Sequence, residues 1–218
     1  MRQHIVIKDP KEQELISALE SRTDADAMRI KRFLQMPDLS RTPGPLKEVV
    51  DRTLAVEGIR DLDIIQVPEI ISAKILFDLF NMPPGHPARS KSDTYYVDEE
   101  HILRTHDTVF WYYYLKQPEV QERIKRKEPI GAMCFGKVYR KDEIDRTHMN
   151  VFHQIGGLYL VPDDTMKLGP DDLKKVLSDV AKATFGSEVN FRFYEHTFPY
   201  TDPSLEMEAE IRCKWVEM

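Results

Sequence analysis

The densest group of residues able to do chemistry lies in GKVYRKDEIDRTHMNVFHQIGG, residues 136–157. A β-branched and aromatic run delivers Arg140, a charged connection follows, and a second strand-like run returns with Phe152, His153 and Gln154. A guanidinium at a strand end is rigidly placed and can grip a phosphate through two parallel hydrogen bonds. An isolated arginine in that setting is more often a surface ion-pair partner. From Gln121 to Arg146 there are eight basic and five acidic residues, whereas from Glu195 to Met218 there are six acidic and two basic ones. On charge alone the basic strip reads as a solvated face, or as a place for a small anion or a phosphodiester. Further on, Phe198 and Tyr200 flank Pro199, suited to a core or to an aromatic wall. Glu206, Glu208 and Glu210 alternate with apolar residues, which puts three carboxylates on one strand face, a solvated face for at least two of them. The seven histidines show no zinc spacing; His148 and His153 are five apart in a strand-and-loop context. Neither GxGxxG nor GxxxxGKS occurs, so a bound nucleotide is not held by the usual glycine cradles.

These groups need a scaffold, and the pattern predicts one of mixed type. Leu15, Ile16 and Leu19 lie at helical spacing in the charged stretch 10–35, and the Pro- and Gly-rich linker MPDLSRTPGPL follows. This marks residues 1–42 as an N-terminal helical arm and linker, with the main domain spanning 43–218. Leu46, Val49, Val50 and Leu54 form an amphipathic helix after Pro45. It leads into LDIIQVPEII, a strand stopped or bent at Pro68. NMPPGHPARS is a loop, DTYYV and ILRTH are short strands, and WYYYLKQPEVQERIKRK is a helix broken at Pro118. AMCFGKVY and VFHQIGGLYLV form two strands. The best helix is DDLKKVLSDVAKATFG, with Gly186 as its C-cap. VNFRFYE and LEMEAEIRCKWVE follow as strands. Strands that look half-exposed predict an α+β fold, an antiparallel sheet flanked by helices.

Composition narrows the class. A chain of 218 residues with 41% hydrophobic and 31% charged residues is ordinary for a globular protein and too large to need disulfide staples. A formal charge of −6 argues against polyanion binding by the whole surface. Cys134 and Cys213 cannot build a disulfide framework or a four-thiolate metal site, which makes a reducing compartment the default. No apolar run approaches the ~18–20 residues of a membrane helix, so a cytoplasmic protein without membrane contact is expected.

The stretch 136–157 resembles motif 2 of class II aminoacyl-tRNA synthetases in the version of the phenylalanyl-tRNA synthetase α subunit: an aromatic–Arg pair, an acid, then D-x-T-H and F-H-Q. Three more blocks follow the family's order and spacing. FDLFNMPPGHPARSKSDTYYV resembles F-D-x-L-N … H-P-A-R … D-T-F-Y, ILRTHDT resembles L-L-R-T-H-T-S, and FPYTDPSLEME resembles F-P-F-T-E-P-S-x-E. The resemblance implies a class II synthetase core from about Pro45 onward, with the strand ending in Pro68 at the place of motif 1. It implies that Arg140 contacts the α-phosphate of ATP and the amino-acid carboxylate, that Asp142 and His148 lie near the nucleotide, and that adenine stacks on Phe152. His106, Thr108 and Gln154 would line the amino-acid pocket, Phe198 and Tyr200 would wall the substrate ring, and Asp202 would hold Mg²⁺. The implied reaction is ATP-dependent activation of phenylalanine and its transfer to tRNA, performed with a β subunit in an (αβ)₂ assembly.

The sequence also departs from the pattern. Gly156 stands where the family carries an acid that meets the substrate ammonium, Thr108 where it has a serine, and Trp111 where it often has a glutamine. The chain stops at CKWVEM, before the glycine-rich turn and the G-x-G-x-E-R of motif 3. The core is therefore expected to be incomplete at its C-terminal end and inactive alone. Two readings remain: part of a phenylalanine–tRNA ligase α subunit, or a non-catalytic synthetase-like paralogue that binds a nucleotide, tRNA or a protein partner.

Overall fold

The computed structural model describes residues 2–146 and 148–218; Thr147 of the D-x-T-H element lies outside them. The predicted first arm is two helices, α1 (Pro10–Glu20) and α2 (Ala25–Gln35), preceded by a short strand, β1 (His4–Val6). Both helices start as their sequences dictate. The Asp9 carboxylate accepts from the Lys11 amide at 2.9 Å with Pro10 in the first turn, and Asp24 accepts from the Ala27 amide at 3.0 Å. The arm is docked on the rest of the chain. Leu15, Leu19, Ala27 and Ile30 share one buried cluster with Ile70, Tyr95, Tyr139 and Val151, and the Glu12 carboxylate accepts from the amides of Glu69 and Ile70.

Next come α3 (Pro45–Leu54), β2 (Asp63–Gln66), β3 (Ile70–Ser72), α4 (Ala73–Phe77) and β4 (His101–Leu103). Pro68 separates β2 from β3, so the predicted run is bent into two strands of different sheets. The aromatic helix breaks at Pro118 into α5 (Phe110–Leu115) and α6 (Pro118–Lys125). Two ten-residue strands, β5 (Ile130–Tyr139) and β6 (Val151–Leu160), pair antiparallel along their whole length. The long helix α7 (Pro170–Phe185) ends at Gly186, whose φ of +104° is of the kind a glycine adopts without strain. Last are β7 (Phe191–Phe198), β8 (Thr201–Ile211) and β9 (Lys214–Glu217), a three-stranded antiparallel sheet.

The α+β class is the one expected, but the main sheet is mixed. Its order is β1–β2–β5–β6, with β1–β2 and β2–β5 parallel and β5–β6 antiparallel. The physical sign was in the strands themselves. β5 is buried at every position, and a strand covered on both faces reads as a continuous apolar run rather than as an alternation. A half-buried ion pair braces this sheet: Asp63 on β2 accepts from Arg123 on α6 at 2.9 Å and from the Tyr114 hydroxyl at 2.7 Å. Among the described residues no helix is long and apolar enough to cross a membrane.

Candidate active site

The site is assembled on the far end of the β5–β6 pair, where a tight turn, residues 105–109, lies across the two strands. Period-two alternation puts Phe152, Gln154 and Gly156 on one face of β6, opposite Val138, Gly136 and Cys134 of β5. The turn is fastened to this deck at both ends. The amide of Tyr139 donates to the Arg104 carbonyl at 3.0 Å, Arg140 Nε donates to the Thr105 carbonyl at 3.0 Å, and the Asp107 amide donates to Gln154 Oε1 at 3.0 Å. Arg104 is buried beneath, with Nε donating to the Lys137 carbonyl at 2.8 Å. Its terminal nitrogen lies 2.7 Å from where a Cβ of Gly136 would stand, and with φ at +150° this position favours glycine on both counts.

Several residues singled out from the sequence meet here. The Arg140 guanidinium sits 5.2 Å over the Phe152 ring, an arrangement that holds the cation in place through the ring's negative face. His106 packs edge-on against Phe80 at 5.3 Å and stacked on Tyr200 at 6.2 Å; Tyr200 in turn stacks on Phe198 at 6.5 Å. Thr108 is half-buried in the same turn as His106. Burial, helped by the charge of Arg140, pushes the His106 imidazole down to about 4, so it is neutral near pH 7. Both its ring nitrogens are enclosed without a hydrogen-bond partner among the described residues, which is uncommon for buried polar atoms.

The ring cluster has members that sequence reasoning did not single out as walls. Phe80 meets Tyr200 edge-on at 5.1 Å, and Trp111 meets it edge-on at 6.2 Å. With Tyr112, Leu115 and Asn81 these rings line a mainly apolar cleft of ≈420 Å³. Phe80 falls within the FDLFN block, but its role depends on the three-residue helical turn that carries it and on Asn81, whose Nδ2 donates to the Pro199 carbonyl at 3.0 Å and ties the β7–β8 turn to the site. Asn150 was also missed. Its Nδ2 donates to the carbonyls of Arg140 and Asp142 and closes the base of the β5–β6 connection.

Other candidates stand apart. Asp142 and His148 lie in that connection, where His148 Nδ1 is 3.0 Å from the Asp145 carboxylate. His153 points to the opposite face of β6, where its Nε2 accepts from the Leu39 amide at 3.0 Å. Asp202 is exposed and lines a second, polar cavity of ≈640 Å³ with Lys174, Asp171, His196 and Tyr194. Glu206, Glu208 and Glu210 are spent on cross-strand partners: His196 at 3.4 Å, Arg192 at 2.7 Å and Asn190 at 2.9 Å. Among the described residues no three histidine, cysteine or acidic side chains converge on one point. A lone exposed carboxylate such as Asp202 fits a Mg²⁺ brought in by substrate phosphates, not one caged by the protein.

The site is thus a half-buried arginine and ring on an antiparallel strand pair inside a mixed sheet. Residues 43–218 match the family described as tRNA synthetases class II core domain (F), and the chain belongs to that family. Among curated proteins it is similar to the phenylalanine–tRNA ligase α subunit of Natranaerobius thermophilus, 40% identical over 164 residues, 75% of this chain and 45% of that one. It is 31% identical to the α subunit of Geobacillus thermodenitrificans over 93% of this chain and 58% of the relative. The chain thus spans about half the length of the curated relatives it matches. Among solved structures, a pyrrolysyl-tRNA synthetase from Desulfitobacterium hafniense superposes with a TM-score of 0.55, at 14% identity, over 95% of this chain and 77% of the other. That likeness concerns the fold alone.

Proposed function

We propose that the chain is the amino-acid-activating part of a phenylalanine–tRNA ligase α subunit. The observation that carries this reading is the placement of Arg140 over Phe152 on the same deck as Gln154, beside the His106–Tyr200–Phe198 rings. In the proposed reaction a carboxylate oxygen of phenylalanine attacks the α-phosphorus of ATP. The bond to the bridging oxygen breaks, and pyrophosphate leaves. A ribose hydroxyl at the 3′ end of tRNA then attacks the acyl carbon, and AMP departs. Arg140 holds the amino-acid carboxylate and the α-phosphate together and stabilises the charge that grows on the phosphate oxygens. Phe152 offers its free face to adenine, with Asp142 and His148 near the nucleotide. Gln154 and Thr108 bound the amino-acid pocket, while Phe198 and Tyr200, with Phe80 and Trp111, meet the substrate ring edge-on, an arrangement worth about 0.5–1.5 kcal/mol beyond area burial. Mg²⁺ bound with ATP would neutralise phosphate charge, and Asp202 is the carboxylate assigned to it. A β subunit, an (αβ)₂ assembly and a cytoplasmic setting complete the proposal.

The reading is tested by ATP–pyrophosphate exchange in the full-length gene product combined with its β subunit. Phenylalanine-dependent exchange is expected, and Arg140→Ala should lower it by at least ~10²-fold, the scale of removing one preorganised charge-stabilising donor. Exchange that survives the substitution, or that responds to another amino acid in preference to phenylalanine, sinks the proposal. The competing reading, a paralogue that binds without charging, draws its support from Gly156, where an acid is missing.

A further inference from the structure

Asp107 is the charged group of the site that the reaction described above does not use. It is 8% exposed, and its Oδ2 has no hydrogen-bond partner among the described residues. Arg104 and Arg140 act on it through space, but neither comes within ion-pair distance among the described residues. Its position is defined by Gly156 across the deck. A Cβ built on that glycine would collide with Oδ2 of Asp107 and come within 2.9 Å of its Cγ and 3.1 Å of Oδ1. The carboxylate therefore occupies the space that a side chain at position 156 would take. The same turn holds His106, whose ring packs on Phe80 and Tyr200, and Gln154 accepts from the Asp107 amide. A negative group with an enclosed but unpaired acceptor oxygen, in the field of Arg140 and one residue from the ring-packed His106, matches a small aromatic zwitterion charge for charge.

We infer that Asp107 binds the ammonium group of the amino-acid substrate, taking over from the crossing turn the duty that the resembled block gives to an acid at position 156. The two positions have exchanged character together: ILRTHDT has an acid where the resembled L-L-R-T-H-T-S has threonine, and HQIGG has glycine where the resembled block has the acid. A purely structural counter-ion of Arg104 would need no vacant oxygen and no glycine beneath it. This inference rests on the proposed function and removes the main support for the non-catalytic reading.

Binding of two ligands by calorimetry separates the possibilities, using the full-length product with its β subunit. L-Phenylalanine carries the ammonium; 3-phenylpropanoate lacks it. In Asp107→Asn, Kd for phenylalanine should rise about 10- to 100-fold, the range set by one lost charge-assisted hydrogen bond, while Kd for 3-phenylpropanoate should stay within about threefold. Gly156→Glu alone should also weaken phenylalanine, because its side chain meets Asp107. The double variant Asp107→Thr with Gly156→Glu should recover most of the affinity, a coupling that two independent structural defects would not show. Unchanged phenylalanine binding in Asp107→Asn overturns the assignment. An equal loss of both ligands in that variant does so too, as does a double variant no better than the worse single one. A wild-type assembly that binds neither ligand overturns the proposed function itself, and this assignment with it.

Discussion

The two long hairpins of this chain are built on opposite principles. In β5–β6 and the residues packed into it, the buried cations Lys137 and Arg104 are committed to acceptors. Lys137, 3% exposed, donates to the carbonyls of Phe33, Leu34 and Met36 at the end of α2 and lies 3.2 Å from Glu69, while Arg104 donates to two backbone carbonyls. In β7–β8–β9 the polar pairs face water, as with Arg192–Glu208 at 2.7 Å, and Trp215 and Val216 are open. A buried donor must find its acceptor or incur a large desolvation cost, so the first hairpin admits few geometries. The second tolerates many. The groups expected to feel phosphate charge stand on the rigid hairpin, whereas the ring wall is contributed by the tip of the looser one and is pinned by Asn81.

That contrast can be broken most severely at Lys137. Replacing it by methionine leaves three helix-end carbonyls and the Glu69 carboxylate without their buried cation. The expected cost is about 3–5 kcal/mol of unfolding free energy, the range for breaking a buried pair from one side, read from urea denaturation. A loss under about 1 kcal/mol would show that the first hairpin is not held by its buried polar groups.

The next test sharpens the comparison within the site turn through pH. Burial raises the Asp107 carboxyl from 3.8 to about 6, against the pull of Arg104 and Arg140. Its folded form favours the proton, so it opposes folding increasingly as pH rises from about 4 to about 6. His106, lowered from 6.5 to about 4 mainly by burial, acts the other way: its folded form rejects the proton, and stability is lost as pH falls from about 6.5 to about 4. Each contribution is on the order of 3 kcal/mol at about 1.4 kcal/mol per pKa unit, and in the wild type they largely offset each other between pH 4 and 6. His106→Gln should therefore lose stability with rising pH over that window, and Asp107→Asn with falling pH. Denaturation curves of the two variants with slopes of the same sign would contradict this.

The smallest effect belongs to the outer sheet. Arg192→Ala removes a partly exposed pair with Glu208 and a guanidinium 4.1 Å above the Trp215 ring, and should cost no more than about 1 kcal/mol in the same denaturation assay. A loss as large as that of Lys137→Met would erase the distinction between the hairpins.

Much of the architecture was legible in residue order. Pro10, Pro45 and Pro118 begin helices, Asp9 and Asp24 cap α1 and α2, and Gly186 ends the longest, because these residues act on the backbone next to them. The sheet was less so. β1 is three residues long, and its parallel pairing with β2 joins segments some sixty residues apart, which no local pattern signals. In the site, Arg140, Phe152 and Gln154 were singled out by the resemblance of their block; the fold adds that alternation along β6 puts Phe152 and Gln154 on a common face and that Arg140 ends the strand beside it. Phe80 and Asn81 were not, since their value lies in contacts with a turn more than a hundred residues away.

Residue types and their spacing alone marked out most of the helices and the strands of the two long hairpins. The resemblance of four ordered blocks directed attention to an amino-acid and nucleotide chemistry. Tertiary structure alone decided that strands β1, β2 and β5 run parallel, that Phe80 and Trp111 join Tyr200, and that the carboxylate of Asp107 fills the space above Gly156. Local sequence sets backbone preference and side-chain alternation, which are short-range. Which buried charge is left without a partner depends on groups brought together from distant parts of the chain.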